Sequence, residues 1–289
     1  MDLSVLLKRY LKLVYGLIVD NIYKIYYSIC KKNFTRKISH QQSNMLIDFK
    51  DQFHKKGYIK SRLDWLQDIS EEVEYLFSSR KSNCLSYENS KFTIVEDWAS
   101  SKYSYCYLTP DSIYSIKLID KFLDSDDFKK SELIRSTFLK IVNVSLWKTY
   151  PNAFYNDGSF VWHRDSMPKS GIKCLYYLSN VDEESGPLVI LPNTYKDNKY
   201  ISGYTSSRNY ELDFEYPGRI KILGTKGSGL IFDTNNLHYA GRTTSSPIII
   251  LSFHLQPHHG LGKKFYHKNG SGFGPLSREF SIFPWNKWW

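Results

Sequence analysis

Two histidines and an aspartate carry most of the chemistry legible in this chain. The stretch Phe160-Val161-Trp162-His163-Arg164-Asp165 reads as a short strand of β-formers that ends in a histidine and an aspartate two residues apart. Strand side chains alternate between faces, so His163 and Asp165 point the same way. Together they offer a neutral imidazole and a carboxylate to a divalent first-row metal, and one further histidine from a neighbouring strand completes a triad. His238 is that candidate: it follows the apolar run Gly229-Leu230-Ile231-Phe232-Asp233, read as a buried strand, and sits at the start of the turn Tyr239-Ala240-Gly241-Arg242. Two histidines and one carboxylate on one side of a metal leave positions open for O2 and an organic co-substrate, an arrangement suited to ferrous iron. A histidine-x-aspartate triplet alone is short enough to be a polar surface loop, so its surroundings decide its weight.

The surroundings are a run of short strands. After Asp165 come Gly171-Ile172-Lys173-Cys174-Leu175-Tyr176-Tyr177-Leu178, an acidic turn at Asp182-Glu183-Glu184, Gly186-Pro187-Leu188, a strand ending at Pro192, and Asn193-Thr194-Tyr195-Lys196. Upstream, Phe49 to Ile59 combines a helical pattern with Gly57-Tyr58. In this order the chain resembles the phytanoyl-CoA dioxygenase family of Fe(II)/2-oxoglutarate oxygenases, over about residues 44 to 256 and most closely over 160–196 and 227–242. The resemblance implies His163, Asp165 and His238 as iron ligands. It also implies Fe(II), 2-oxoglutarate and O2 as cofactor and co-substrates, with ascorbate as a reductant, and hydroxylation of a small or lipid-like molecule.

One position departs from the family. Its members place an arginine about nine to eleven residues after the distal histidine, where the guanidinium pairs with the 5-carboxylate of 2-oxoglutarate. Here those positions are Pro247, Ile248 and Ile249. Arg242, in the turn after His238, and Lys173, on the strand after the metal strand, are the replacements open to this sequence. Asp233 is a candidate to end its strand or to orient a ligand imidazole, and Tyr155 and Asn156 are candidates to line the pocket. His254, His258 and His259 read as non-ligands, and Trp162 and Arg164 as packing and surface residues. Two other readings stay open: a cupin-like metal-binding protein without turnover, and a nucleic-acid demethylase, which uses the same triad on the same fold.

The elements that must position the triad are legible as patterns. Helical periodicity covers 45–56, stopped at Gly57, and 64–79; helices are also expected at 112–120 and 129–140. Strands are expected at 141–149, 159–165, 171–178, 187–191, 217–223, 228–233 and 247–256. Such a set predicts a mainly β protein, a double-stranded β-helix or cupin-like jelly roll backed by N-terminal helices. Three segments follow: a basic amphipathic extension at 1–40, a jelly-roll domain at 41–257, and an aromatic basic tail at 258–289 that ends Phe283-Pro284-Trp285-Asn286-Lys287-Trp288-Trp289.

The net charge of +10 is unevenly spread. Residues 1–40 hold eight Lys and Arg against two Asp, residues 258–289 hold five against one Glu, and the segment between them holds 26 of each sign. A neutral body without a basic stripe beside the triad argues against a nucleic-acid partner. The four cysteines show no metal or C-x-x-C spacing, which fits free thiols in a reducing, cytoplasmic setting. From Leu3 to Cys30 the chain reads as an amphipathic helix with lysines on one side and Leu3, Leu7, Tyr10, Val14, Ile18, Ile22, Ile25 and Ile29 on the other. Its longest uncharged apolar run is too short to span a bilayer, so that face is expected to pack on the body, on a second subunit, or in the interface of an anionic membrane.

Overall fold

The computed structural model describes residues 21, 24–32, 34–35, 43–79, 84–88, 91–94, 105–108, 113, 116–151, 158–165, 171–194, 208–209, 215–244 and 246–258. Tyr155, Asn156, His259 and the aromatic tail lie outside this set. Thirteen strands appear in it: β1 Tyr58–Arg62, β2 Cys84–Glu88, β3 Lys91–Ile94, β4 Tyr105–Leu108, β5 Phe138–Thr149, β6 Trp162–His163, β7 Ile172–Tyr177, β8 Leu188–Leu191, β9 Arg208–Asn209, β10 Ile220–Ile222, β11 Ser228–Phe232, β12 Leu237–Ala240 and β13 Ile248–His258. They form an eight-stranded sheet of order β1-β11-β7-β13-β5-β4-β2-β3 and a five-stranded sheet of order β10-β8-β12-β6-β9. Every pairing is antiparallel. The mainly β jelly roll read from the sequence is the fold observed.

Alternation divides the large sheet into two faces. Ile172, Cys174 and Tyr176 on β7, Ile231 on β11, and Ile249, Leu251, Phe253 and Leu255 on β13 share a core with the helices, including Phe53, Leu66, Val73, Phe122 and Phe128. Leu175, Tyr177, Leu230, Phe232, Ile248 and Ile250 face the other way and meet Leu188, Ile190 and Ile222 of the small sheet. The second cluster is the inside of the roll, and the first backs it. Phe122 stacks on Phe253 at 3.8 Å between centroids, tying the helix Leu118–Asp124 to the centre of β13.

The helices differ in detail from the sequence reading. In place of the helices expected at 112–120 and 129–140, one helix ends at Asp124 and the next runs Asp126–Arg135, opened by Asp126 and Asp127, with N-cap Ser125 accepting a hydrogen bond from the Phe128 amide. Aspartates in a first turn complement the positive end of the helix dipole, which explains the placement. The pattern at 64–79 breaks into Trp65–Asp68 and Ser70–Ser79. Helix Ser43–Lys56 stops at Gly57, whose φ of 75° suits a residue without Cβ.

Residues 24–32 are helical and rest on the body through one face. The Tyr27 hydroxyl donates to the Arg135 carbonyl at 2.6 Å, Cys30 and Phe34 are buried, and Phe34 meets Phe138 edge-on. Ile25 and Ile29, part of the apolar face read from the sequence, are 64% and 53% exposed and do not pack on the body, because the tyrosines and Cys30 take the inward face. Among the described residues no helix is long and apolar enough to cross a membrane.

Candidate metal centre

His238 lies within a strand, not at the start of a turn. On β12 it pairs directly with His163 of β6, and their rings lie 4.3 Å apart between centroids. β6 is only two residues long, so Asp165 follows the strand; its amide donates to the Thr234 carbonyl at 3.2 Å, which brings it beside both rings. The neighbouring strand residues Trp162, Leu237 and Tyr239 cluster on the outer face of the small sheet, leaving both histidines on the inner face. Asp165 Oδ1 stands 3.6 Å from His163 Nε2 and 3.6 Å from His238 Nε2, and one ligand atom from each residue falls within 4.8 Å of the others.

Each imidazole is oriented from behind. His163 Nδ1 donates to the Val161 carbonyl at 2.9 Å, and His238 Nδ1 donates to the Asn236 carbonyl at 2.8 Å. A proton on each Nδ1 leaves the Nε2 lone pairs aimed at the shared point. His238 Nε2 is buried with no hydrogen-bond partner. Metal bonds of about 2.1 Å place adjacent donors roughly 3 Å apart, so these separations fit one divalent ion with little movement. An N2O donor set with open positions suits ferrous iron.

Charge around the centre favours the ligand-competent forms. Burial by itself would raise the Asp165 pKa, but the neighbouring Lys173 holds the carboxyl well below the usual carboxylate range. Burial, followed by the neighbouring His163, lowers His238 and keeps it neutral. Lys173 Nζ donates to Asp165 Oδ2 at 2.9 Å. The ammonium therefore occupies one carboxylate oxygen and leaves Oδ1 to a metal as a single-oxygen ligand.

The other candidates sort by place. Lys173 is at the centre; Arg242 is exposed, two residues past the end of β12. Asp233 does not hold an imidazole. Its Oδ2 accepts from Arg135 Nη2 at 2.8 Å and its Oδ1 accepts from the amide and side chain of Asn235, both at 2.9 Å. It pins the turn that leads into β12. Arg164 is buried and donates to the Thr194 carbonyl at 2.8 Å, where a surface position was expected. His254 lies across from Lys173 on β13, with burial and then that lysine depressing its pKa to about 3. Arg135, Asn236 and His254 carry no local pattern that marks them as neighbours of the site.

The Gly-Pro-Leu motif has a structural reason. Gly186 has a φ of 78°, and a Cβ there would come within 2.7 Å of the Thr243 amide nitrogen and 2.8 Å of the Gly241 carbonyl. The turn after β12 can thus close against the start of β8 only over a glycine.

The sheets, their order and the inward pair of histidines define a double-stranded β-helix with a candidate metal site at its mouth. Solved structures with this fold include SnoN, a non-heme alpha ketoglutarate dependent epimerase from nogalamycin biosynthesis (TM-score 0.54, 15% identity, 81% of this chain and 96% of that one). SnoK, a carbocyclase of the same pathway, gives 0.53 at 11% identity over 74% and 84%. EctD from S. alaskensis, solved with 2-oxoglutarate and 5-hydroxyectoine, gives 0.51 at 15% identity over 83% and 84%. At these identities the likeness establishes the fold. No family model and no curated protein sequence matches the chain.

Proposed function

We propose that this protein is a non-haem Fe(II)/2-oxoglutarate-dependent oxygenase of the phytanoyl-CoA dioxygenase type that hydroxylates a small or lipid-like organic molecule. The observation that carries this reading is the convergence of His163 Nε2, His238 Nε2 and Asp165 Oδ1 on one point inside the mouth of the roll, with the His238 nitrogen buried and unpartnered. Iron bound there would supply O2 activation coupled to oxidative decarboxylation of 2-oxoglutarate. The chain's part is to hold the ion on one side, keep Asp165 ionised through Lys173, and shape the space beside it. SnoN has been solved with Fe3+, alpha ketoglutarate and nogalamycin RO, and EctD with 2-oxoglutarate and 5-hydroxyectoine, which supports a small-molecule substrate here. Of the two cations the sequence offers for the co-substrate, Arg242 is exposed and Lys173 is held by Asp165.

The test is succinate release from 2-oxoglutarate under Fe(II), ascorbate and O2 with a panel of small and lipid-like substrates. Wild type should exceed a His163→Ala control by at least tenfold. If metal binds but no succinate forms above that control with any substrate, the metal-binding reading without turnover replaces this one.

We also propose peripheral contact with an anionic membrane on the cytoplasmic side. The exposed Ile25 and Ile29 lie beside the exposed Lys24 and Lys32, and Cys30, Cys106 and Cys174 are free thiols.

A further inference from the structure

Strand register orders the inner face of the large sheet into rows. The row facing the metal centre runs Phe232, Lys173, His254, Asn143 across β11, β7, β13 and β5. Phe232 touches the His238 ring at 5.3 Å between centroids, and Lys173 binds Asp165, which fixes this row as the metal level. One step deeper lie Leu230, Leu175, Ser252 and Ser145; below them are Tyr177, Ile250 and Trp147, then Ile248 and Thr149. Across from these, the small sheet presents Ile190, Leu188 and Ile222.

Two residues per row at about 3.4 Å each separate the metal level from the Ser252 row by roughly 7 Å. That is the reach of a five-carbon 2-oxo acid whose first carboxylate and oxo group sit at a metal. At that depth a family member would offer a guanidinium. Among the described residues, the cations in the rows below Lys173 are Lys60 and Arg62 on the edge strand β1, both exposed and three strands away from Ser252; no buried Lys or Arg stands there, and the region where it would enter carries the buried Ile248 and Ile250. What the rows do carry is unmet hydrogen-bonding capacity. Ser252 is fully buried and its Oγ has no partner, and diagonally above it Asn143 Oδ1 is buried without a partner. Ser145 is buried directly opposite Ser252, and His254 stands between Asn143 and Lys173. Buried polar atoms left unpaired are rare because desolvating them is unfavourable, so two on one face beside a metal centre mark a place that a ligand completes.

We propose that Ser145, Ser252, Asn143 and His254 form an uncharged seat for the far end of the co-substrate, so that this site selects a 2-oxo acid by hydrogen bonding at that end and not by a second negative charge. This rests on the oxygenase reading above. Hydroxyls and an amide, which can turn either face to a ligand, satisfy an ester or amide carbonyl as fully as they do a carboxylate. A buried carboxylate there lacks the cation that would favour it over a neutral isostere.

The experiment is anaerobic calorimetry on the Fe(II)-loaded full chain with two probes, 2-oxoglutarate and its 5-methyl ester. The ester is expected to bind within fivefold of 2-oxoglutarate or tighter, with Ser252→Ala weakening both by at least threefold. Ser252→Lys, which places a cation at the seat, should convert this into at least a tenfold preference for 2-oxoglutarate. A preference above fivefold for 2-oxoglutarate in the wild type overturns the inference even if Ser252→Lys fails to fold. An equal affinity of both probes for wild type and Ser252→Ala overturns it as well. If neither acid binds the metal-loaded protein, the oxygenase reading falls and this inference falls with it.

Discussion

At the scale of single residues, the inner face carries its buried charge at one level. Asp165 and Lys173 balance each other beside the two ligand imidazoles, and His254 stands next to that lysine as a neutral base. Its depressed pKa gives a pH prediction. The unfolded chain protonates this histidine near its ordinary value of about 6.5, while the folded chain holds it neutral down to about 3. Between those values the unfolded state binds more protons, so the contribution to stability is complete above about pH 6.5 and is lost as pH falls, with a slope of at most about 1.4 kcal/mol per pH unit. Urea unfolding from pH 7.5 to 5 should show this loss in the wild type and a shallower one in His254→Gln. Identical slopes would mean that the imidazole protonates freely in the folded state. His163 and Asp165 were legible because alternation puts them on one face. Asn143, Ser252 and His254 were not, since each looks like an ordinary strand residue until β5, β13 and β7 are laid side by side in register.

At the scale of elements, one buried ion pair joins the helical layer to the metal strand. Arg135, at the end of helix Asp126–Arg135, binds Asp233 at 2.8 Å and the Gly171 carbonyl at 2.7 Å, with its guanidinium over the Phe53 ring. Asp233 shapes the turn whose Asn236 carbonyl accepts from His238 and whose Asn236 side chain donates to the Gly57 carbonyl at 3.0 Å. Removing one partner of such a pair strands a buried charge, at a cost of about 3–5 kcal/mol. Asp233→Asn and Arg135→Met should each lower the unfolding midpoint accordingly, and Arg135→Met/Asp233→Leu should recover most of the loss. Fe(II) affinity should fall in both single variants, because the turn that aims His238 loosens. A full loss of stability in the double variant would show that packing, not the charge pair, sets the cost. The strands with strong β-former runs were readable within a few residues of their ends. β12 was not: Leu237 to Ala240 is short and follows the polar run Asp233 to Asn236, so local pattern favoured a turn, and only pairing with β8 and β6 makes it a strand.

At the scale of the whole molecule, a neutral body carries basic ends, and residues 24–32 of the first end lie on the body as a helix with Ile25 and Ile29 outward. Tyr27, Cys30 and Phe34 fill the inward side, so Ile25 and Ile29 stay exposed beside Lys24 and Lys32 after the helix has docked. Apolar side chains flanked by lysines gain in two ways at an anionic bilayer: the isoleucines leave water, and the ammonium groups meet lipid phosphates and carboxylates. Burying each isoleucine is worth roughly 1.5–3 kcal/mol. Ile25→Asp/Ile29→Asp should therefore reduce cosedimentation with phosphatidylserine-containing vesicles at least tenfold, while the unfolding midpoint changes little because neither side chain packs on the body. Lys24→Glu/Lys32→Glu should reduce it as well, and added salt should weaken the wild type in the same direction as charge is screened. Equal binding to pure phosphatidylcholine vesicles would remove the electrostatic part of this reading. No binding to either vesicle, together with a concentration-dependent dimer lost in the Ile25→Asp/Ile29→Asp variant, would assign the stripe to a second copy of the chain.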